Sequence, residues 1–363
     1  MAAEYDLINA FFRIENSLIK SMIRNFRLHR AEETEEGYNW TQWQAVQLNA
    51  VEEYARNNQK LFGKRFSAIN KQIAELLKNG YTDAAAEQER EILDAISNGF
   101  SPARTPVKGI TGEFFGVNQG KLDALIQATT NDFEQAEYAT LRRCNDQYRK
   151  IIFDAQVAAN TGAMTYEQAV DMATHDFLQA GINSIEYSNG ARHQIADYSR
   201  MAIRTANKRA ALMGAGAQRD AWGEHLVIVN KRQNACPKCA QYVGKIFIDD
   251  VYSGGTVADG DYPLLSDAIH GGLFHPNCKD GTSTYYPDLT ELEEVYPLEL
   301  TAMEQREVWE QKRDACRNQA EKYERLSENS LDAKNKKKYA AKAKQWRARE
   351  KENEQKMNEV TVP

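Results

Sequence analysis

Proline placement constrains this chain more than any other feature. The 363 residues carry eight prolines: none in 1–101 or 107–236, five between 237 and 297, and only Pro363 beyond. Inside a helix a proline removes an N–H and clashes with the preceding turn, so helix interiors avoid it. Two proline-free stretches therefore frame an irregular or β-containing insert. The expected fold class is mainly α: long helices flank a small α+β module, stapled by a Cys3His metal site, and a charged long helix ends the chain. By sequence character the chain divides into a helical region 1–99, a linker or arm 100–120, a second helical region 121–213, the small module 214–297 and a charged helix and tail 298–363.

Residues 4–27 place Leu7, Ile8, Phe11, Phe12, Leu18, Ile19, Met22, Ile23 and Phe26 at helical spacing, which predicts an amphipathic helix. Acids mixed with bases on its polar face favour packing on its own domain or subunit over a membrane surface. No apolar run of about 18 residues exists to span a bilayer, and the N-terminus lacks the pattern of a signal peptide. Trp40, Trp43, Val46, Val51 and Tyr54 predict a second helix; 67–78 and 82–98 predict two more, ending at Gly80 and Gly99. Two prolines and three glycines in 100–116 read as a linker. A helix is expected from Lys121 to about Asn160, then one opened by a capping box at Thr165 and Gln168 and closed by Gly181. A turn at Asn189-Gly190 leads into a basic helix up to residue 212, whose Arg192, Arg200, Arg204, Lys208 and Arg209 read as a solvated face. After Gly214 and Gly216 the pattern changes, and 225–231, 245–252 and 283–287 are strand candidates between glycine-marked loops.

Within the insert, Cys236-Pro-Lys-Cys239 and His275-Pro-Asn-Cys278 each put two soft donors on one tight turn. Zinc needs four such atoms to converge at about 2.3 Å for sulfur and about 2.1 Å for nitrogen. Cys236, Cys239, His275 and Cys278 are thus candidate ligands of a structural Zn2+. A module this small has little core of its own, and a metal supplies what the core lacks. His270 is a rival ligand, and a reduced thiol cluster with His275 bonded to backbone is the other reading. A catalytic zinc keeps an open position and a nearby base. The deaminase order, H-x-E before P-C-x-x-C, is reversed here, with Asn277 two residues after His275 and Ala235 before the CxxC. The surroundings lack the βαβ context of a redox CxxC. The other two of the five cysteines, Cys144 and Cys316, read as core or seam thiols in a chain assembled in a reducing cytoplasm. Asp249, Asp250, Asp259, Asp261 and Asp267 are explained by turn chemistry. No nucleophile elbow, P-loop or dinucleotide fingerprint occurs.

A formal net charge of −6 argues against nucleic-acid binding by the whole surface. The stretch 334–349 nevertheless holds eight bases and no acid: Lys334, Lys336, Lys337, Lys338, Lys342, Lys344, Arg347 and Arg349. A solvated helix and a contact with DNA phosphates or an acidic protein face both fit such a run. Trp309, Cys316 and Tyr323 are seven apart, as are Tyr339 and Trp346, an interrupted coiled-coil signal.

Taken together, YSNGARHQIADYSRMAIRT (187–205), ACPKCAQYVGKIFIDDVY (235–252), LSDAIHGGLFHPNCKD (265–280) and the Tyr-Tyr-Pro at 285–287 closely resemble the phage minor capsid protein 2 family. That family is related to Mu-type head morphogenesis proteins, in which a late His-Pro-x-Cys recurs. The resemblance is clearest over about 105–290. It implies a minor structural protein of a tailed-phage head, near the portal vertex, that assists procapsid assembly or the packaging or ejection of DNA and is not an enzyme. The implied partners are the portal protein and coat or scaffold subunits, with packaged DNA reached through the basic helix. The implied location is the virion, with host cytoplasm during assembly and no membrane in the mature particle. Two positions depart from the family pattern. A histidine often precedes the CxxC where this chain has 230–234, and Arg-His commonly follows HPNC where this chain has Lys279-Asp280. The zinc rests on ligand spacing and not on the resemblance. The rival readings are a phage-delivered effector of the ADP-ribosyltransferase kind and a zinc-dependent nucleic-acid-binding protein.

Overall fold

The computed structural model describes residues 2–36, 40–105, 112–159, 165–186, 190–231, 236–276, 278–292 and 297–361. Helices dominate: α1 (Ala2–Glu36), α2 (Trp40–Ser97), α3 (Gly112–Ala159), α4 (Tyr166–Ala180) and α5 (Ile195–Trp222) precede the small module, with the strands β1 (Asn183–Glu186) and β2 (Arg192–Gln194) between α4 and α5. The module holds β3 (Leu226–Val229), α6 (Pro237–Ala240), β4 (Ile246–Ile248), α7 (Leu265–His270) and β5 (Thr282–Thr284), and α8 (Pro297–Asn329) and α9 (Ala333–Glu359) follow it. Two compact units result. The first comprises 1–71, 132–199 and 312–353; the second comprises 72–131, 200–311 and 354–363.

The first unit is built on the apolar stripe of α1. Phe11, Leu18, Ile19, Met22 and Phe26 are fully buried. Phe11 stacks on Phe66 and Phe133 at 6.0 and 5.1 Å, and Phe26 meets Tyr148 edge-on at 5.1 Å. Each such side chain contributes about 1.5–3 kcal/mol by leaving water. The apolar stripe of α1 is therefore covered within its own unit. Thr165 and Gln168 form the expected capping box, and Gly181, at φ 72°, ends α4 with its N–H on the Phe177 carbonyl. The antiparallel pair β1–β2 is an element that the sequence patterning does not signal, and Arg192, expected in the basic helix, lies in β2, the helix starting only at Ile195. Tyr187 and Asn189 lie outside the described residues, as do the side chains of Trp40, Trp43 and Val46.

In the second unit, the three-stranded sheet has the order β4-β3-β5, with β3 antiparallel to both neighbours. All three strand candidates appear, each shorter than expected. Their inner face meets α6 and α7 in a core of Val227, Val229, Phe247, Leu265, Ala268, Leu273, Cys239 and Cys278. Beside it, Ala240 and Val243 pack on Met303 of α8.

Several expectations are overturned. Gly80 does not end a helix, and Gly214 and Gly216 do not end α5; all three lie in helix interiors. A Cβ at Gly80 would sit 2.6 Å from Asn207 Oδ1, one at Gly214 2.0 Å from the Tyr81 carbonyl oxygen, and one at Gly216 2.4 Å from Tyr252 Cβ. These glycines permit close backbone approach, which has the same composition signal as a helix end. Gly99 and Gly223, at φ 101° and 73°, are the true terminators. Residues 112–120, expected within the linker, are the first turns of α3.

The single charged helix expected over 298–363 is two helices, α8 and α9, folded back on each other. Arg317 pairs with Glu350 at 2.7 Å, Arg347 with Glu324 at 2.9 Å, and Tyr323 stacks on Tyr339 at 6.4 Å. The reversal at 330–332 is held by Asp171 of α4, whose carboxylate accepts from the N–H groups of Leu331 (2.6 Å) and Asp332 (3.1 Å) and from the Ser330 hydroxyl. Asp332 in turn caps α9 by accepting from the Lys334 and Asn335 N–H groups at 3.0 and 2.9 Å. The interrupted seven-residue spacing of aromatics marks this antiparallel pair.

Candidate metal centre

Cys236 is the N-cap of α6, and its carbonyl accepts from the Cys239 N–H at 3.0 Å, so the intervening turn points both sulfurs to one side. The second half follows α7. Gly271 ends that helix, where a Cβ would meet the Tyr242 hydroxyl at 2.2 Å. Gly272 and Phe274 then take φ 110° and 57°. Phe274 is a bulky residue in left-handed backbone, a costly conformation; the Leu273 N–H bond to the Ala268 carbonyl (2.9 Å) anchors the turn. His275 and Cys278 close it, with the Cys278 N–H on the His275 carbonyl at 2.9 Å.

Three of the four expected ligands, Cys236, Cys239 and His275, form one cluster, and Cys278 meets it through Cys239. Cys236 Sγ lies 3.1 Å from His275 Nε2, and Cys239 Sγ lies 3.6 Å from Cys278 Sγ. Around a tetrahedral zinc, donor atoms about 2.1–2.3 Å from the ion are roughly 3.6 Å apart; the Cys239–Cys278 pair has that spacing, while an ion held by all four would draw Cys278 toward Cys236 and His275. The donors form two triads that share Cys239, namely Cys236–Cys239–His275 and Cys239–Cys278–Asp280, with donor atoms in each within 4.8 Å of one another. His275 Nδ1 is 2.9 Å from the Pro276 carbonyl. That bond places the proton on Nδ1 and leaves the Nε2 lone pair facing the sulfurs, the tautomer a metal requires. His270, the rival, has Nδ1 on the Ser266 carbonyl at 2.8 Å and belongs to neither triad.

The two thiols of the sulfur pair are pushed in opposite directions. The hydrogen bond from Cys239, aided by Lys208, lowers its thiol to about 6, and the same bond holds Cys239 well above the usual thiol range. Lys208 Nζ is 3.9 Å from Cys278 Sγ and 4.5 Å above the Phe274 ring. The Asp280 N–H points at Cys278 Sγ from 3.4 Å. Sequence reading missed both roles: Lys208 reads as part of a solvated basic face, and Asp280 as a departure from a family pattern. Helical position from Cys278 is not visible in sequence, but the two-residue spacing of Asp280 from Cys278 is.

The remaining candidates are scaffolding or surface. Asp249 is buried against Arg219 at 2.6 Å and accepts from the Tyr252 N–H at 2.8 Å; Asp250 accepts from the Ser266 N–H at 2.9 Å; Asp259 accepts from the Thr256 N–H at 2.6 Å. Cys144 is buried, its thiol pushed up to about 12 by burial, and it lies 3.1 Å from the Tyr54 hydroxyl. Cys316 is buried in the α8–α9 seam and accepts from Asn353 at 3.3 Å. On α9, Arg347 is held between Glu324 and Glu350, while Lys342 and Arg349 lie over the rings of Tyr323 and Trp346. Lys334, Lys336, Lys337, Lys338 and Lys344 are exposed. Among the described residues no helix is long and apolar enough to cross a membrane.

No curated protein and no solved structure matches this chain. The sequence model described as phage minor capsid protein 2 matches residues 3–361, reaching every element from α1 to α9. The chain therefore belongs to the phage minor capsid protein 2 family and is a structural component of the phage head.

Proposed function

We propose that this head protein sits at the portal vertex, where its helical arms contact portal, scaffold or coat subunits during procapsid assembly, and that a structural Zn2+ fixes the geometry from which the arms leave. The match over 3–361 carries the head role; the triad of Cys236, Cys239 and His275, with Cys278 against Cys239, supports the zinc. With Cys278 as the fourth donor beside the triad, the ion would keep no open coordination position of the kind catalysis uses, and its role would be architectural. Lys279 and Lys231 join the module to Glu310 and Glu299 of α8 at 2.7 and 2.8 Å. A metal that rigidifies the module thereby steadies the start of the C-terminal hairpin.

The second part of the reading is DNA contact through α9. At 100° per residue, Lys344, Lys337, Lys334 and Lys338 fall on one exposed side of that helix, which suits phosphates along a groove edge. The test of placement is cross-linking of assembled heads followed by mass spectrometry. Links from this chain to portal subunits are expected; links confined to coat subunits would sink the portal assignment.

A further inference from the structure

Two grooves on the first unit adjoin along the outer face of α1. One, of about 580 Å³, is lined by Arg13, Ile14, Ser17, Lys20, Arg65 and Ile69 among others; the second, of about 460 Å³, by Lys20, Ile23, Arg24, Glu328 and Lys336 among others. Lys20 belongs to both, so the two make one continuous track. Its described lining holds five cations, Arg13, Lys20, Arg24, Arg65 and Lys336, against one acid, Glu328, which pairs with Lys20 at 2.8 Å. That is a local charge of +4 on a chain whose net charge is −6. Such a concentration is not what an average acidic surface supplies.

The geometry is ordered as well as positive. At 100° per residue, Arg13, Lys20 and Arg24 fall within about 40° of arc, one straight row down α1. With a rise of 1.5 Å per residue, their separations along the axis are about 10 Å and about 6 Å, roughly three and two nucleotide steps of a DNA strand at 3.4 Å each. Arg65 comes from α2 and Lys336 from the first turn of α9, so three helices contribute to the row. The floor of Ile14, Ile23 and Ile69 is apolar, and an apolar wall strengthens the field of charges lying on it. Lys336 also belongs to the acid-free run 334–349, so a polyanion on α9 arrives at the end of this track.

We propose that the α1 track is a phosphate-backbone contact surface that takes double-stranded DNA, separate from the outward lysines of α9. The choice of DNA among polyanions rests on the head-protein reading; the attraction of the track for phosphate does not.

The experiment measures binding of the purified full-length chain to a short DNA duplex of arbitrary sequence, across a series of salt concentrations, for three proteins. These are the parent, the triple variant Arg13→Gln/Arg24→Gln/Arg65→Gln, and Lys334→Gln/Lys337→Gln/Lys338→Gln/Lys344→Gln. The three arginines are exposed, and circular dichroism checks that the variants fold as the parent does. The expected result is that the arginine variant lowers the slope of log K against log[salt] by about 2 to 3, from about 0.9 per lost contact, in addition to any change from the lysine variant. An unchanged slope overturns the proposal. So does displacement of the duplex by polyglutamate as readily as by unlabelled DNA, which would assign the track to an acidic protein. Incorporation of the same variants into heads is scored separately. A parent that enters heads but binds no duplex removes the track and leaves the head reading; a parent that binds with the expected slopes but never enters heads does the reverse.

Discussion

In the first unit the interior is hydrocarbon and aromatic rings, with Phe11, Leu18, Met22, Phe26, Phe66, Phe133 and Tyr148 all fully buried. In the small module of the second unit, the core between three short strands and two short helices includes Cys239 and Cys278, with the Asp280 carboxylate buried beside them and Cys236 and His275 half-buried at its edge. The cysteines express the difference. Cys144, against Tyr54, is pushed up to about 12 by burial, whereas Cys278 is drawn down to about 6 by Cys239 and Lys208. An apolar core stabilises itself by excluding water. In the module the donor atoms are partnered chiefly with one another, Cys236 with His275 and Cys239 with Cys278, and strands of three or four residues add little further apolar core. That donor-rich character is the ground for the ion proposed there.

The comparison predicts its largest effect on metal removal. Protein purified without chelator should hold about one zinc per chain. Cys236→Ser/Cys239→Ser should lose it, along with stabilisation on the scale of structural zinc sites, about 10 kcal/mol or more. Hydrogen exchange should then accelerate in β3, β4 and α7 and stay slow in α1. Metal-free protein that melts like the variant would reduce the four residues to a thiol cluster. Next in size is the buried pair of Arg219 and Asp249, 1% and 0% exposed. Asp249→Ala should cost about 3–5 kcal/mol in a urea titration by stranding the guanidinium. Adding Arg219→Met should recover much of that loss; a double variant as unstable as the single would show that lost packing, not stranded charge, dominates.

The first unit has its own exception to the apolar rule in Glu15. Its carboxyl is fully buried and raised to about 7 by burial, against the opposing pull of Arg325 and of the Ile182 N–H that donates to it at 3.0 Å, with Asp197 adding to the rise. The folded state holds this proton more tightly than the unfolded chain, so the stabilisation is complete below about pH 4.5 and is lost as pH rises through about 7. Between those limits the change is about 3 kcal/mol. Melting temperature should therefore fall as pH rises from 5 to 8, and Glu15→Gln should flatten that dependence. An unaltered pH profile in the variant would place the titrating group elsewhere.

How much of this was legible beforehand depended on whether the cause was local. The α1 stripe, the capping box at Thr165 and the three strands are written in neighbouring residues, and so is the clustering of Cys236, Cys239 and His275, with Cys278 against Cys239. Gly80, Gly214 and Gly216 were misread because a glycine that ends a helix and one that admits another backbone look alike until the second backbone is present. The reversal after Asn329 escaped notice because it is held by Asp171, about 160 positions away. Lys208 beside Cys278 is the same kind of case: a helix position 70 residues upstream acquires its meaning only through packing.

The smallest effect tests the other side of the comparison. Cys144 Sγ sits 3.1 Å from the Tyr54 hydroxyl, but that hydroxyl also donates to the Leu18 carbonyl at 3.1 Å. Cys144→Ala therefore leaves the tyrosine with a partner and removes one heavy atom from an apolar interior, a change worth about 1 kcal/mol. Zinc content should not change. Alkylation supplies a second check: a thiol held near 12 has little thiolate at neutral pH and should stay unlabelled whether or not zinc is bound. Labelling of Cys144 upon chelation would mean that metal loss opens the first unit too, and the two cores would then have to be treated as one cooperative structure.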